Sequence, residues 1–379
     1  MLGCIKPRNE ESVRSKQLDK ELQIVHRQFE KAIKILLLGT AESGKTTILQ
    51  QMKILHINGF TREDIIHKTK EIRQNIHESI YELVVQMQKL QIPYDTTQSR
   101  KSGEWIVNFG KHSPDHFVDE YTDNVVTLWN DNGIRECYRR SNEFYLIDSA
   151  KYFLDKLELV AHSDYIPTTD DILHSRKMTT GINQISFSVK IPKSMGGGSQ
   201  EFRMFDVGGQ RDQRNKWLQV FEGIQAVLFL ISCSDFDQTL REDPTQNRLK
   251  EALELFSGVW HNRFLSSSGI IVFLNKQDIM EMKIRNGTRM EDYYPDFKDF
   301  KISANEGNVF DECDRLRLFI KHKLINVTQQ PARRLSRAHT QRECYYHFTV
   351  ATDTTNIRKV FNDVHNMILT DNLTSVGLI

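Results

Sequence analysis

The sequence predicts an α/β domain with a mostly parallel six-stranded sheet, interrupted after its first strand and helix by an all-helical domain. Two observations lead to this prediction. Six short apolar segments have the pattern of strands, and helical stretches separate most of them, as in parallel sheets with crossover helices. Residues 60–165, in contrast, follow a helical period and contain no convincing strand.

The chain begins with a highly charged segment, residues 9–33, whose apolar residues are spaced by four, three and four positions. This spacing places them on one stripe of a helix: Leu18, Leu22, Val25 and Phe29. Such a stripe suits packing on the body of the same chain and docking of another protein equally well. It is too short for a self-sufficient coiled coil, which needs about three to four heptads.

The first strand is the continuous apolar run at residues 33–38, and the helix after it covers residues 45–56. Helical periodicity then extends from residue 62 to about residue 90, and returns at residues 125–129 and 150–159. The remaining five strands are predicted at residues 185–191, 202–205, 226–231, 270–274 and 347–351.

Composition excludes several classes of protein. The chain has 51 basic and 50 acidic residues, a net charge of +1, so no nucleic-acid partner is expected. No apolar run approaches the roughly 18 residues that a membrane span needs, and the first residues do not form a secretory signal. The cysteines are scattered, which argues against a disulfide framework and for a reducing compartment: Cys4, Cys137, Cys233, Cys313 and Cys344.

Residues 39–46, Gly-Thr-Ala-Glu-Ser-Gly-Lys-Thr, match the phosphate-binding pattern G-x-x-x-x-G-K-[ST] between a predicted strand and a predicted helix. The glycines let backbone N–H groups surround phosphate oxygens, Lys45 supplies a cation, and the Thr46 hydroxyl can bind Mg²⁺. The motif alone leaves open whether the nucleotide is ATP or GTP, and whether the protein is a kinase or a switch.

Two further motifs follow predicted strands. In Asp-Val-Gly-Gly-Gln at residues 206–210, Asp206 can hold magnesium through water and Gly209 can offer its N–H to a terminal phosphate. Alone, the motif is equally an ordinary turn.

In Asn-Lys-Gln-Asp at residues 275–278, the Asp278 carboxylate can accept two hydrogen bonds from the N1–H and N2–H₂ edge of guanine. Adenine lacks this donor pair, so the position of the motif after the other two favours guanine.

The order of these motifs, with a helical insert, an arginine-bearing segment at residues 176–181 and Thr-Val-Ala-Thr at residues 349–352, resembles a heterotrimeric G-protein alpha subunit over nearly the whole chain. The resemblance implies a Ras-like P-loop GTPase domain (residues 34–58 and 178–379), an N-terminal helix (residues 1–33) and a helical insertion domain with its linkers (residues 59–177). The middle of the chain is similar to the stimulatory class and the C-terminus to the inhibitory or q classes. This mixture is similar to a divergent f-type subunit of insects.

The resemblance implies in-line attack of water on the γ-phosphate of GTP, with Mg²⁺ as cofactor and GDP and phosphate as products. Arg176 resembles the arginine that stabilises transition-state charge, and Gln210 resembles the residue that orients the attacking water. Thr179 resembles a second magnesium ligand beside Thr46, with Asp206 acting through water. The nucleotide contacts that the motifs and the resemblance imply are Glu42, Ser43, Gly44, Lys45, Thr46, Thr47, Asp148, Ser149, Arg176, Thr179, Gly209, Asn275, Lys276, Asp278, Ala351 and Thr352.

The resemblance also implies partners. The GDP form would bind a beta-gamma dimer through the N-terminal stripe and through Lys216 and Trp217, a G-protein-coupled receptor would bind the C-terminal tail, and the GTP form would bind an effector. The middle of the chain suggests adenylyl cyclase as that effector, although the tail does not.

Membrane attachment is expected at the N-terminus. Cys4 resembles a palmitoylated cysteine, whereas Gly3 is not at position 2, so the N-myristoylation signal is absent. One acyl chain anchors weakly, so nearby basic residues and the beta-gamma partner would help to hold the chain on the cytoplasmic face of the plasma membrane. Val376 stands where inhibitory-class relatives have the cysteine modified by pertussis toxin, so no such modification is expected.

The chain departs from the family at several places. Ala41 replaces a glycine beside the γ-phosphate, and its methyl group is expected to crowd Gln210 and Arg176 and to slow hydrolysis, unless a small local shift absorbs it. His174 and Lys177 replace the usual Arg and Val, which puts the packing around Arg176 in question.

Two further departures are expected at the surface. Residues 192–200 lengthen a hairpin, most simply as a flexible solvated tip. A late basic cluster is expected to be a solvated loop: Arg333, Arg334, Arg337 and Arg342.

Three functions are consistent with these residues. The first is a signalling GTPase, a slow enzyme whose output is a change of conformation. The second is an ATP-using metabolic kinase, which the guanine motif at residues 275–278 opposes. The third is a module that binds GTP and barely hydrolyses it, which Ala41 favours and which Arg176 and Gln210 oppose.

Overall fold

A computed structural model describes residues 10–191, 197–303, 305–330 and 342–375. Within these residues six strands form one sheet in the order β2–β3–β1–β4–β5–β6, in which β2 runs antiparallel to β3 and the other pairs are parallel. The mostly parallel six-stranded sheet is confirmed. The strands are β1 (Ile33–Gly39), β2 (Ile182–Lys190), β3 (Ser199–Val207), β4 (Ala226–Ser232), β5 (Gly269–Asn275) and β6 (Cys344–Phe348).

Helices fill the connections and form a block of their own in the middle of the described chain. They are α1 (Glu10–Lys31), α2 (Lys45–His56), α3 (Arg62–Lys89), α4 (Thr97–Phe109), α5 (Asp119–Trp129), α6 (Asn132–Arg139), α7 (Ala150–Leu154), α8 (Leu157–Ala161), α9 (Thr169–His174), α10 (Arg248–Trp260), α11 (Gln277–Arg285), α12 (Glu312–Gln329) and α13 (Thr354–Ser375).

Both faces of the sheet are covered, which explains why its central strands are apolar throughout. Every residue of β1 and β4 is buried. Apolar residues of α10 and α12 pack on one face of the sheet, and those of α2 and α13 pack on the other. A parallel sheet covered in this way has continuous apolar strands, because neither face meets water. The carboxyl ends of β1, β3, β4 and β5 consequently lie at one edge.

The helical block, α3 to α9, has its own hydrophobic core, separate from the two layers around the sheet. Ile76, Ile80 and Leu83 of α3 are fully buried in it, together with Tyr121 of α5 and Phe153 of α7. Residues 60–165 contain helices and connecting segments and no strand, so the prediction of an all-helical block is confirmed.

Several boundaries differ from the sequence prediction. The helix at residues 45–56 is confirmed, but the helix expected at residues 150–159 is two short helices, α7 and α8, separated at Asp155 and Lys156. The helices α4, α6 and α9 were not predicted: α6 and α9 are only eight and six residues long, and α4 has its apolar residues together near its C-terminal end. The last strand ends at Phe348 rather than at residue 351, since Ala351 leaves the sheet to contact Asn275.

The two ends of the N-terminal stripe agree with different alternatives, docking of another protein at one end and packing on the same chain at the other. Leu18 and Leu22 are 51% and 62% exposed, as a docking face would be. Phe29, at the other end, packs on the chain's own sheet layer, with the amine of Lys34 4.0 Å and the guanidinium carbon of Arg203 4.9 Å from its ring centre. The side chain of Val25 lies outside the described residues.

The structure describes only some of the residues on which the remaining surface predictions depend. Of the lengthened hairpin, Ser199 and Gln200 belong to strand β3 and residues 192–196 are outside the description. The prediction of a solvated loop was wrong for Arg342. Its guanidinium donates to three backbone carbonyl oxygens at 2.6–3.0 Å. Also outside the described residues are Gly3, Cys4, Arg333, Arg334, Arg337 and Val376. None of the described helices is long and apolar enough to span a membrane.

Candidate nucleotide and magnesium site

A cavity of about 440 Å³ lies where the carboxyl edge of the sheet faces the helical block. Ser43 and Asp206 are fully buried and do not line it. The structure brings the other candidate residues to its wall: Glu42, Gly44, Lys45, Thr46, Thr47, Asp148, Ser149, Arg176, Thr179, Gly209, Gln210, Asn275, Lys276, Asp278, Ala351 and Thr352.

The loop between β1 and α2 curls over the first turn of α2. Gly44 has a φ of 103°, a left-handed conformation that favours glycine, and a Cβ there would come within 2.3 Å of the Asn275 amide nitrogen. The Lys45 amine donates to the carbonyl oxygens of Gly39 and Thr40 at 3.0 and 2.7 Å. Burial lowers the pKa of Lys45 to about 8. A loop of this shape, at the amino end of a helix and with a buried amine, suits a phosphate group.

Three oxygen ligands meet beside this loop from three separate elements. The Thr46 hydroxyl lies 2.8 Å from the Thr179 hydroxyl and donates to Asp206 Oδ2 at 2.7 Å. The other carboxylate oxygen, Asp206 Oδ1, is buried and has no hydrogen-bond partner. Burial raises the pKa of Asp206. Hydroxyl and carboxylate oxygens, one of them unsatisfied, are the ligands that Mg²⁺ prefers, so the residues present fit this ion.

Ionic groups hold Arg176 at the rim of the cavity. Its guanidinium donates to Glu42 Oε1 at 2.7 Å and lies 5.3 Å from the ring centre of Tyr145. Glu42 also lies 3.6 Å from Arg248, which pairs with Asp235 at 2.9 Å. Burial by itself would raise the pKa of Glu42, but the neighbouring cations hold it below its ordinary value. The carboxylate therefore stays charged and fixes the arginine from the P-loop side.

The segment after β3 lies directly against the P-loop. A Cβ on Gly209 would be 2.5 Å from the Lys45 amine and 2.6 Å from the Gly39 carbonyl oxygen, so the backbone approaches as closely as glycine allows. Trp217, in the 3-10 turn that follows, is buried, and its indole N–H donates to the Gly208 carbonyl at 2.8 Å. A movement of Gly208 and Gly209 would therefore reach the indole ring directly.

Asn275 ties two loops together at the far end of the cavity. Its amide nitrogen donates to the Ser43 carbonyl at 2.9 Å, and its oxygen accepts from the Ala351 backbone N–H at 2.9 Å. Lys276 has a φ of 59° and pairs with Asp148 of the helical block. Burial alone would raise the pKa of Asp148, but the charge of Lys276 lowers it to about 2. The ion pair thus joins the sheet to the helical block across the cavity.

Comparison with known proteins agrees with this arrangement. A profile described as "G-protein alpha subunit" matches residues 12–368. The chain belongs to this family. It is 62% identical to the guanine nucleotide-binding protein G(f) subunit alpha of Drosophila melanogaster over 351 residues, which cover 91% of this chain and 88% of that relative.

Two further alpha subunits are less similar to this chain. It is 38% identical to the G(s) subunit alpha of Homarus americanus and 36% identical to the G(olf) subunit alpha of Homo sapiens. Each of these two matches covers 93% of this chain and 91% of the relative. The resemblance inferred from the motifs, including the f-type subunits of insects, is therefore confirmed.

Sequence reasoning missed several residues that shape the site of this alpha subunit. Asn75 of α3 bonds both backbone groups of Arg176, and the guanidinium of Arg248 in α10 lies 3.6 Å from the Glu42 carboxylate. The Gln51 side chain donates to the Ala351 carbonyl at 2.8 Å. Tyr145 stands over the Arg176 guanidinium. None of them belongs to a phosphate or guanine motif, so no local pattern in the sequence marked them as site residues.

Proposed function

We propose that this alpha subunit is a GTP-driven switch in which the γ-phosphate and Mg²⁺ join the segments around Thr179 and Gly209, and hydrolysis releases them. Family membership gives the general function: the chain is a signal-transducing subunit that binds guanine nucleotides and hydrolyses GTP. One observation carries the proposal for these residues. Thr46, Thr179 and Asp206, from three separate elements, converge within 2.8 Å beside a buried carboxylate oxygen that has no partner.

The residues of the P-loop and its neighbours have distinct roles in holding the phosphates. Backbone N–H groups of residues 42–47 and the Lys45 amine bind phosphate oxygens, because most of this loop lines the cavity and the amine lies within it. The Thr46 and Thr179 hydroxyls and the Asp206 carboxylate would hold Mg²⁺. Bound Mg²⁺ neutralises phosphate charge, and this family is itself a standard example of that chemistry.

Arg176 and Gln210 act on the γ-phosphate. Both line the cavity, Arg176 as a charged donor and Gln210 as an amide that can orient a water molecule. In the structure Glu42 holds the guanidinium at 2.7 Å, so Arg176 exchanges this partner for phosphate oxygens when the transition state forms. The chemistry requires little more from the protein than positioning and charge.

Guanine binds at the opposite end of the cavity. The Asp278 carboxylate lines the wall there and accepts from the N1–H and N2–H₂ groups of the base. Asn275 holds the Ala351–Thr352 turn in place through the Ala351 N–H, and this turn caps the base. Asp148 and Ser149 cover the nucleotide from the helical block, where Asp148 pairs with Lys276.

We propose a division into three parts, which the separate cores support. Residues 34–58 and 178–379 make the Ras-like domain, residues 59–177 the helical domain, and residues 1–33 the N-terminal helix. In support, the cluster around Ile76 and Phe153 is distinct from the two clusters on the sheet.

Its partners, as for the family, are a beta-gamma dimer, a receptor and an effector. We assign the dimer to the exposed Leu18–Leu22 side of α1 and to the surface beside Lys216, where Leu218 is 61% exposed. Trp217 is buried, so it supports this surface from beneath. Adenylyl cyclase is the proposed effector, and palmitate on Cys4 the proposed anchor at the cytoplasmic face of the plasma membrane.

The test is a comparison of nucleotides by tryptophan fluorescence. GTPγS with Mg²⁺ is expected to change the fluorescence of Trp217, whereas GDP changes it less and ATPγS does not bind. Trp217→Phe is the control: it should abolish the signal while filter binding of GTPγS persists. Equal uptake of ATPγS and GTPγS, or equal tryptic digestion patterns with GDP and GTPγS, would reject the proposal.

A further inference from the structure

One face of helix α3 runs along the segment that carries Arg176. Lys68, Glu71 and Asn75 are spaced by three and four residues, so they share that face. The Lys68 amine donates to the Ser175 hydroxyl at 3.1 Å, and the Glu71 carboxylate lies 3.8 Å from the Lys177 amine. The helical block thus contacts three consecutive residues of a segment that leads into the sheet.

The contact at Asn75 is the most specific of these. Its side-chain oxygen accepts from the Arg176 backbone N–H at 2.7 Å, and its amide nitrogen donates to the Arg176 carbonyl at 2.7 Å. Asn75 is 3% exposed, so water does not compete for either bond. Both backbone groups of one residue are held by one planar amide, which fixes the point from which the Arg176 side chain starts.

We propose that Asn75 is a positioning residue for Arg176: it sets the backbone of the arginine so that the guanidinium reaches the γ-phosphate during hydrolysis. This inference rests on the proposed role of Arg176. The guanidinium is held by Glu42 from the P-loop, and its backbone by Asn75 from the helical block. The two domains therefore determine the position of this side chain jointly.

The two departures from the family around Arg176 are compatible with this clamp. Lys177 is paired with Glu71 on the same face of α3 as Asn75. The His174 ring stacks on Tyr152 with 4.0 Å between ring centres and 8° between planes. Both unusual residues thus find partners in the helical block, and the segment keeps its place beside α3.

The chemistry of the clamp requires an amide. Asn offers an acceptor and a donor at one position, whereas Leu, which has the same number of side-chain heavy atoms and the same branch at Cγ, offers neither. Asn75→Leu therefore leaves the N–H and the C=O of Arg176 without partners. Gln74→Leu is a matched control on the same helix, because Gln74 bonds Ser113 and Lys111 of the helical block and makes no bond to residue 176.

The first experiment measures single-turnover GTP hydrolysis. Asn75→Leu is expected to slow it about 10- to 100-fold, since a displacement of about 1 Å in a catalytic group can cost 10²-fold. GTPγS binding stays at the wild-type level, and Gln74→Leu hydrolyses GTP within about twofold of wild type. Wild-type hydrolysis by Asn75→Leu would overturn the inference.

A double-mutant cycle separates positioning from a general structural effect. Arg176→Ala should be slow, and adding Asn75→Leu to it should change the rate less than twofold, because the clamp then has no guanidinium to place. If Asn75→Leu lowered the hydrolysis rate of Arg176→Ala as much as it lowers that of wild type, the inference would be overturned and the role of Arg176 would stand. Arg176→Ala that hydrolyses at the wild-type rate would instead reject the proposed function, and the positioning role with it.

Hydrogen exchange provides a readout besides activity. In the GDP-bound protein, Asn75→Leu should raise the exchange rate of the peptide containing residues 174–178 about tenfold, and Gln74→Leu should not. Unchanged exchange in Asn75→Leu would show that the two hydrogen bonds do not hold the segment, and would overturn the inference.

Discussion

At the scale of single residues, Ala41 is the departure from the family that stands where the γ-phosphate is expected. Four non-glycine residues of the described chain have a positive φ, and Ala41 is not among them, although the next residue, Glu42, has a φ of 63°. The backbone thus accepts alanine without strain. Any effect of Ala41 comes from its methyl group, which lines the cavity together with Arg176 and Gln210.

Ala41→Gly is expected to accelerate single-turnover GTP hydrolysis. Overpacking by a methyl-sized group costs about 1–3 kcal/mol, and about 1.4 kcal/mol in the barrier corresponds to tenfold in rate. We therefore expect an increase of about tenfold, with the association rate of GTPγS unchanged. Identical hydrolysis rates in both proteins would show that a local shift absorbs the methyl group.

At the scale of elements, the function depends on segments that are held by few but specific contacts. The segment after β3 meets the P-loop at Gly209, where there is no room for a Cβ. Helix α9 leads into Arg176 and begins with a capping box made by Thr168 and Asp171. In the proposed switch, the contact at Gly209 would respond to the phosphate in the cavity, and the capping box would keep the arginine segment in place.

Gly209→Ala should bind GTPγS but fail to close the segment on the P-loop. The added Cβ would meet the Gly39 carbonyl at 2.6 Å, and because this partner is backbone, it cannot easily move away. Radiolabelled GTPγS should bind, while most of the fluorescence change of Trp217 is lost. Gly258→Ala is the control, since no atom lies within 4 Å of a Cβ there. A full fluorescence change in Gly209→Ala would contradict the close approach.

Asp171 should make the stability of the helical block depend on pH in the acid range. Its carboxylate is fully buried; burial alone would raise its pKa, but bonds from Lys156, the Thr168 N–H and Tyr152 hold the pKa well below its usual range. A lowered folded pKa means that the stabilisation is present above the unfolded pKa of about 3.9 and is lost as pH falls below it.

Asp171→Asn should therefore lower the urea midpoint at pH 7, with a cost of about 1–3 kcal/mol. The difference from wild type should shrink as the pH is lowered from 5 to 3. Asp170→Asn, at the exposed neighbouring position, should behave as wild type throughout. A difference that stays constant over this pH range would contradict the assigned charge.

At the scale of the whole molecule, the cavity lies between the sheet and the helical block, so separation of the two would release a bound nucleotide. The Lys276–Asp148 ion pair crosses this boundary at one end, and the Glu42–Arg176 pair crosses it at the other. These pairs are partly buried, and breaking a partly buried pair costs more than breaking an exposed one. They are suited to slow the release of GDP.

Asp148→Asn should accelerate GDP release about tenfold, because a hydrogen bond to a charged group contributes about 1.5–3 kcal/mol. The measurement is the dissociation rate of a fluorescent GDP analogue chased with unlabelled GDP. Asp123→Asn, an exposed position on α5 of the same block, should leave the rate unchanged. An unaltered rate in Asp148→Asn would show that this ion pair does not limit the separation.

The sequence by itself determined the sheet, the helical block and the cavity residues. These depend on local patterns: apolar strands buried on both faces, helical periodicity, and glycine-rich turns that fit phosphate whatever surrounds them. The bounds of α2 could also be predicted from the sequence, since the P-loop fixes the first residue of this helix. The break between α7 and α8 and the end of β6 could not be predicted, because long-range partners override the local pattern there.

The tertiary structure alone decided how residues distant in the chain meet. Asn75 lies 101 residues from Arg176, and Arg342 lies 77 residues from the Leu265 carbonyl that it bonds. No periodicity marks such pairs, because each depends on where two folded elements come to lie. Thr46, Thr179 and Asp206 could be named from their motifs, but only the fold brings their oxygens together. The sequence thus selects the chemical groups, and packing sets their distances.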